Sequence, residues 1–281
     1  MNVILPFLFR CLGHVPLRWL HRLGALAGWA VYGLSPRYRR HLRENLAQAG
    51  LAAELRLEAA AEAGKQVLEL ARIWTKPLAE ANALVVAVTG WTHVEAARAA
   101  GKGILFLTPH LGCFEISAQY YSAFGEITVL YRPPRQAGLE ALIATGRRRA
   151  RLHLAPADLA GVRLLMRALK RGDAVGILPD QAPKKGEGAW LDFFGRSAHT
   201  MTLAARLSEL GPAVLLVRCE RLPAGRGFHL HFLPPAQPLA GDTLARAAAI
   251  NHEIEALIRQ CPTQYLWGYN RYKGARAERA A

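Results

Sequence analysis

Beyond Pro77 the chain repeats one pattern, a short run of consecutive apolar residues followed by a longer stretch with apolar residues at helical spacing. Gly103-Ile-Leu-Phe-Leu-Thr108, Ile127-Thr-Val-Leu-Tyr131, Ala174-Val-Gly-Ile-Leu178 and Ala213-Val-Leu-Leu-Val217 are such runs. A strand is apolar on both sides only when both faces of its sheet are covered. Helical stretches fall between the runs at about 113–124, 137–150, 159–171 and 200–210. Parallel neighbours need crossovers, so this alternation predicts an α/β fold with a largely parallel central sheet flanked by helices. Gly227-Phe-His-Leu-His-Phe-Leu233 alternates apolar and polar residues, as an exposed later strand should, and 243–260 reads as a closing helix. Before Pro77, 37–49 and 54–75 read as helices, the second through Leu55, Ala59, Val67, Leu70 and Ile73.

The amino-terminal segment has a different texture. Val3 to Leu34 is rich in Leu, Phe, Trp, Ala and Gly but is interrupted by Arg10, Arg18 and Arg22. Its longest stretch without an ionised residue, Leu23 to Pro36, falls short of the roughly 20 apolar residues a spanning helix needs. Arginine in the early apolar run also argues against a signal peptide. The basic cluster Arg37-Tyr-Arg-Arg-His-Leu-Arg43 suits anionic headgroups, with Trp19 and Trp29 at the headgroup layer. The expected organisation is therefore a membrane-associating helical segment over 1–50 and a second, α/β domain over 51–281. The alternative is that these helices pack on the core of a soluble protein.

Thirty-six Lys and Arg against twenty-one Asp and Glu, a formal charge of +15, imply an anionic partner. Nucleic acid is not supported, because no helix-turn-helix, zinc or aromatic RNA-binding signature accompanies the charge. Anionic lipid and an acidic carrier protein remain. Cys11, Cys113, Cys219 and Cys261 show no CxxC spacing, so neither a disulfide framework nor a thiolate metal site is indicated. His229 and His231 form a His-x-His pattern capable of metal binding, but no third ligand is evident and they read as surface residues.

His110 follows the run ending at Thr108 and precedes Leu111-Gly-Cys-Phe-Glu115, which places it on a strand-to-helix turn at the carboxyl edge of the sheet. Ligand sites of open α/β sheets form at that edge. Residues five apart inside a helix do not share a face, so His110 can meet Glu115 only by folding back before the helix. Pro109 and Gly112 suit such a turn. A hydroxyl that attacks as a nucleophile must lose a proton, and neutral imidazole is matched to taking it near pH 7. A carboxylate on the other ring nitrogen would fix the tautomer, and Glu115 is the expected partner. The same spacing recurs from His153 to Asp158, but Pro156 lies inside it and Asp158 reads as the cap of the next helix. Cys113, inside the presumed helix, reads as a small buried hydrophobe rather than a nucleophile. No metal or cofactor is required.

Thr-Pro-His110-Leu-Gly-Cys-Phe-Glu115 resembles the His-x4-Asp/Glu motif of glycerolipid-type acyltransferases. Further blocks resemble one branch, the bacterial lipid A biosynthesis acyltransferases. They are Arg43-Glu-Asn-Leu46, Tyr131-Arg-Pro-Pro134, Gly146-Arg-Arg-Arg149, Leu169-Lys-Arg-Gly172, Ile177-Leu-Pro-Asp-Gln181, and Pro262-Thr-Gln-Tyr-Leu-Trp267 with Arg271 and Lys273. The resemblance implies a glycerolipid acyltransferase-like fold and direct transfer from acyl carrier protein, without a covalent intermediate, to a phosphorylated Kdo-bearing lipid A precursor. It implies the cytoplasmic face of a bacterial inner membrane as the location. By the same resemblance His110, Glu115 and Arg147 form the catalytic set, with Arg147 on the oxyanion or a phosphate. Arg132, Arg148, Asp180, Gln181 and Lys184 are expected to bind substrate. Trp190, Leu191, Phe193 and Phe194 would lie in a loop that lines the acyl channel, dips into the interface or packs in the core.

Two other readings stay open. One is an acyltransferase for a lysophospholipid, ornithine lipid or other glycolipid, although the Glu-Gly-Thr-Arg-like block typical of phospholipid enzymes is absent. The other is a non-catalytic basic membrane-binding protein.

Overall fold

The structure, a computed structural model, describes residues 4–131, 143, 146–147, 151–184 and 186–274. Four helices open the chain: α1 (Ile4–Leu12), α2 (Leu17–Leu34), α3 (Pro36–Gln48) and α4 (Leu55–Thr75). They lead through α5 (Leu78–Asn82) into β1 (Val85–Thr89), α6 (Trp91–Ala100), β2 (Ile104–Leu107), α7 (Phe114–Tyr121) and β3 (Ile127–Tyr131). Next come β4 (Leu152–Pro156), α8 (Leu159–Lys170), β5 (Ala174–Ile177), β6 (Ala189–Phe193) and β7 (Arg196–Thr200). The chain continues with α9 (Leu203–Ser208), β8 (Ala213–Arg221), β9 (Phe228–Leu233) and α10 (Thr243–Gln260). Most of the helix expected at 137–150 lies outside the described residues; Ile143, Gly146 and Arg147 within it are helical.

The central sheet has seven strands in the order β1-β9-β8-β2-β5-β3-β4, parallel throughout except for β8 against β9. That is the expected α/β architecture. Leu105 and Leu107 of β2 point into one core with Leu165, Leu207 and Ile254, while Ile104 and Phe106 enter a second with Ile73, Val94 and Ile116. All four residues of β2 are buried, so its continuous apolar run follows from being covered on both sides. The predicted cap forms as well: the Asp158 side chain accepts from Gly161 N at 2.9 Å at the start of α8.

Three features differ from the sequence reading. β1 and β4 are additional strands, and β4 ends at Pro156 on the sheet margin, where a missing N–H breaks no ladder. Residues 190–194 are not a loop but belong to the antiparallel β6–β7 hairpin. Its turn, Phe194-Gly195, holds both residues at positive φ, +50° and +70°. A left-handed phenylalanine costs about 1–2 kcal/mol. Its N–H donates to Glu255 Oε1 at 2.7 Å, its ring is buried, and the Arg259 guanidinium lies 5.0 Å above that ring. Phe193 and Phe194 are thus core residues.

Helix α2 lies directly on α4. A Cβ on Gly64 would come within 1.9 Å of Gly24 O, so the two backbones touch where only glycine fits. His21 Nε2 reaches Glu69 Oε2 at 3.0 Å, and Glu69 holds Arg221 of β8 through two hydrogen bonds of 2.6 Å. The opposite face of α1 and α2 leaves Phe7, Leu23, Leu26, Trp29 and Leu34 exposed, Leu34 to 84%. Among the described residues no helix is long and apolar enough to cross a membrane.

Candidate active site

The site begins with strand register. In the β2–β5 pair Leu107 lies opposite Ile177, and Thr108 N extends the ladder to Ile177 O at 3.0 Å. His110 and Asp180 are each three residues further on, each preceded by proline, so parallel pairing delivers them to the same point of the carboxyl edge. Asp180 Oδ1 meets His110 Nδ1 at 2.9 Å, and Oδ2 accepts from His110 N at 3.1 Å. The Tyr265 hydroxyl bonds the same carboxylate. Burial alone would raise the Asp180 pKa, but the facing imidazole and these hydrogen bonds outweigh it and hold it below the usual carboxylate value. Burial, then Asp180, pushes the Tyr265 hydroxyl well up, so it stays a donor.

An ionised carboxylate only accepts, so Asp180 assigns the ring proton to Nδ1 and leaves Nε2 with its lone pair. Among the described residues Nε2 has no hydrogen-bond partner, and the His110 side chain keeps 18% of its exposure.

The expected hydrogen bond between His110 and Glu115 is not formed. Glu115, in the first turn of α7, points toward α4, where Trp74 Nε1 donates to its Oε2 at 3.2 Å. Arg147 Nε donates to the same oxygen at 2.9 Å and Arg147 Nη2 pairs with Oε1, a two-pronged ion pair. The reason is the turn itself. His110 precedes the helix and leans over β5, while Glu115 has already rotated onto the α4 side. The structure therefore joins His110 to Asp180 and Glu115 to Arg147. Burial depresses the Arg147 pKa to about 10, which leaves it charged at neutral pH, and its guanidinium lies 5.4 Å from the Tyr131 ring centre.

The turn is fixed on every side. Gly112 has φ +60°, and a Cβ there would stand 1.8 Å from Cys219 O. Its N–H donates to Gln264 O at 3.0 Å, its carbonyl accepts from Gln66 Nε2 at 2.9 Å, and Leu266 N donates to His110 O at 3.1 Å. Cys113 N donates to Cys219 O at 2.8 Å. The 262–267 block is thus a brace for the histidine turn. Asn45 ties α3 to that brace through Trp267 O and Tyr269 O at 2.7 and 2.8 Å. Buried Arg271 donates to His199 O and Thr200 Oγ1, fastening the β6–β7 hairpin. Cys113 is buried; burial first, then the hydrogen bond to Cys219, raises its thiol well above the ordinary value, the reverse of what a nucleophile needs.

Next to His110, Phe114 packs its ring edge-on to the imidazole at 4.8 Å. Phe114 and Thr108 form one wall of a narrow cavity of about 40 Å³ between α7 and the sheet, continued by Val129, Leu178, Val217 and Phe232. Its lining is apolar apart from Thr108 and Ser117.

Of the other expected residues, Gln181 is half-buried beside Asp180, and Lys184 is exposed with Nζ on Ala157 O at 2.9 Å. Arg132 and Arg148 lie outside the described residues. Asp180 as the imidazole's partner, Tyr265 and Trp74 were not legible as a constellation. The available signal was the shared Pro-His and Pro-Asp ending of two adjacent parallel strands.

A second constellation lies on β8 and β9, starting one residue beyond Cys219. Glu220 stands opposite His229 in the β8–β9 ladder, with His231 two residues along on the same face. The structure therefore supplies the third group that the His-x-His pattern lacked.

The chain matches the family described as bacterial lipid A biosynthesis acyltransferase over residues 3–274. It is 28% identical over 181 residues to a lipid A biosynthesis acyltransferase of Haemophilus influenzae, a match covering 63% of this chain and 56% of that protein. It is also 28% identical to two Escherichia coli proteins, the lipid A biosynthesis lauroyltransferase over 189 residues and the palmitoleoyltransferase over 188, each match covering 66% of this chain and 61% of the relative. The chain thus spans about three fifths of the length of these relatives.

Proposed function

Because the chain belongs to the bacterial lipid A biosynthesis acyltransferase family, we propose that it is an enzyme moving a fatty acyl chain from acyl carrier protein to a hydroxyl of a lipid A precursor of the Kdo-lipid IVA type. The observation that carries this reading is an imidazole anchored at Nδ1 by buried Asp180, its Nε2 without a partner among the described residues, at the carboxyl edge of the sheet and packed on Phe114, which walls an apolar cavity.

His110 Nε2 takes the proton of the acceptor hydroxyl as its oxygen attacks the thioester carbonyl. Asp180 stabilises the imidazolium so formed. As the C–S bond breaks, the imidazolium returns the proton to the departing thiol, so no acyl-enzyme is needed. Arg147, clamped by Glu115, offers a fixed positive charge to the carbonyl oxygen or to an acceptor phosphate. Glu115 then acts by positioning Arg147 rather than by touching the imidazole. Arg132, Arg148, Gln181 and Lys184 are assigned to the anionic groups of acceptor or donor, and the +15 charge would draw in an acidic carrier. Residues 1–50 serve as the membrane-associating segment at the cytoplasmic face of the inner membrane, the exposed Phe7, Leu23, Leu26, Trp29 and Leu34 entering the interface. The remaining 51–281 form the catalytic domain.

The test is transfer of a labelled acyl chain from acyl carrier protein to purified acceptors, with mass spectrometry of the products. Acylation of the Kdo-bearing lipid A precursor supports the reading. Transfer only to a lysophospholipid or ornithine lipid would replace the acceptor, and no transfer to any of them would overturn the enzyme assignment.

A further inference from the structure

The β8–β9 hairpin carries a group of side chains that the acyl-transfer site does not use. Glu220, His229 and His231 each bring one possible metal-ligand atom, and these atoms lie within 4.8 Å of one another. Their convergence follows from strand geometry: the register pairs Glu220 with His229 across the hairpin, and a strand period of two returns His231 to the same face. The two imidazoles lie 3.8 Å apart, centre to centre. His231 Nε2 is buried without a hydrogen-bond partner among the described residues, although Glu220 Oε2 is only 3.5 Å away. A buried nitrogen beside a carboxylate it does not bond is the arrangement that a shared cation would complete. Thr89 Oγ1 of β1 holds His229 Nε2 at 2.7 Å, the kind of outer contact that fixes the ring of a liganding histidine.

The geometry points to Glu220, His229 and His231 as a binding site for one divalent transition metal, zinc in the first place, separate from His110 and fastening the β8–β9 hairpin. Two imidazoles and one carboxylate are a three-ligand set that zinc takes, with water completing the tetrahedron. Zn–N bonds of about 2.0–2.1 Å place tetrahedral ligand atoms ~3.4 Å apart, so small side-chain rotations close the group. The opposing feature is Arg218. Its Nη1 lies 3.3 Å from Glu220 Oε2, and the metal must displace it from that oxygen. Arg218 therefore weakens the site, and removing its charge tightens binding.

The experiment uses the untagged full chain stripped with chelator, titrated with Zn²⁺ by calorimetry and with Co²⁺ by visible absorption. The expected result is one metal per chain and Co²⁺ bands typical of tetrahedral coordination. His229→Ala, His231→Ala and Glu220→Gln should each weaken Zn²⁺ at least tenfold, and Arg218→Gln should strengthen it about tenfold. His153→Ala, at the exposed His153–Glu126 pair, should leave it unchanged. Circular dichroism separates loss of the site from loss of the fold, and Glu220→Gln provides the mildest variant. No saturable binding by the wild type, or stoichiometric binding unaltered in a folded His229→Ala/His231→Ala variant, overturns the proposal.

Discussion

Replacing Asp180 with asparagine isolates the contribution of the carboxylate that holds the imidazole. The side chains are nearly isosteric, and an asparagine oxygen can still accept from His110 N, so the turn should keep its shape. Two things change. The carboxylate and ring face each other at 2.9 Å, and opposite charges with centres about 4 Å apart are worth about 4 kcal/mol at an effective dielectric near 20. The open side of the ring lowers this to roughly 3 kcal/mol, still about a hundredfold in rate. An amide NH₂ toward Nδ1 would also move the ring proton to Nε2, the atom that must accept, which raises the expected loss to about 10²–10³-fold in kcat. Single-turnover transfer from labelled acyl carrier protein measures the step, with acceptor KM and Tm as controls. A near-wild-type KM and Tm with the slowed rate fit the account. A folded Asp180→Asn enzyme within threefold of wild type would refute the role given to this carboxylate.

Glu115→Gln and Arg147→Ala should each slow turnover at least tenfold, and the double variant should be little worse than the slower single one; additive losses would separate the two roles. Gly112→Ala forces a Cβ into Cys219 O at 1.8 Å on a φ of +60°, so Tm should fall sharply and activity with it; a wild-type Tm would mean that the turn is not rigid. Glu69 is an acid-sensitive group. Burial would raise its pKa, but Arg221 and His21 bring it from 4.5 down to about 2. Such a depressed carboxylate stabilises the fold fully above about pH 4.5, and that contribution, about 3 kcal/mol, disappears as pH falls toward 2. Urea unfolding at pH 7 and pH 3 should show a smaller acid loss for Glu69→Gln than for wild type; equal losses would contradict the linkage.

The sheet was legible because β2, β3, β5 and the first half of β8, Ala213–Val217, are apolar runs, as strands covered on both sides demand. β4 was not, because His153 and Pro156 interrupt its apolar run at a sheet margin that does not need a continuous one. The β6–β7 hairpin was missed because its turn places Phe194, a residue without turn propensity, at positive φ and offsets the strain through Glu255 and Arg259. Chain spacing points from His110 to Glu115, whereas the structure pairs the imidazole with Asp180. Sequence separation favours Glu115, five residues away, whereas strand register favours Asp180, seventy away. Register is a property of the paired strands, so it emerges only once β2 and β5 are known to be neighbours. Glu220 escaped for the same reason, since it meets His229 and His231 only across a hairpin.

In the proposed mechanism the free nitrogen of His110 removes the acceptor's proton. The most direct test is rapid-quench acyl transfer by His110→Gln, run beside wild type with labelled acyl carrier protein and the Kdo-bearing lipid acceptor. The expected rate is lower by at least about 10³-fold, with acceptor affinity kept and no label on the wild-type protein at any time. A His110→Gln enzyme that still transfers the acyl chain at near the wild-type rate would contradict it.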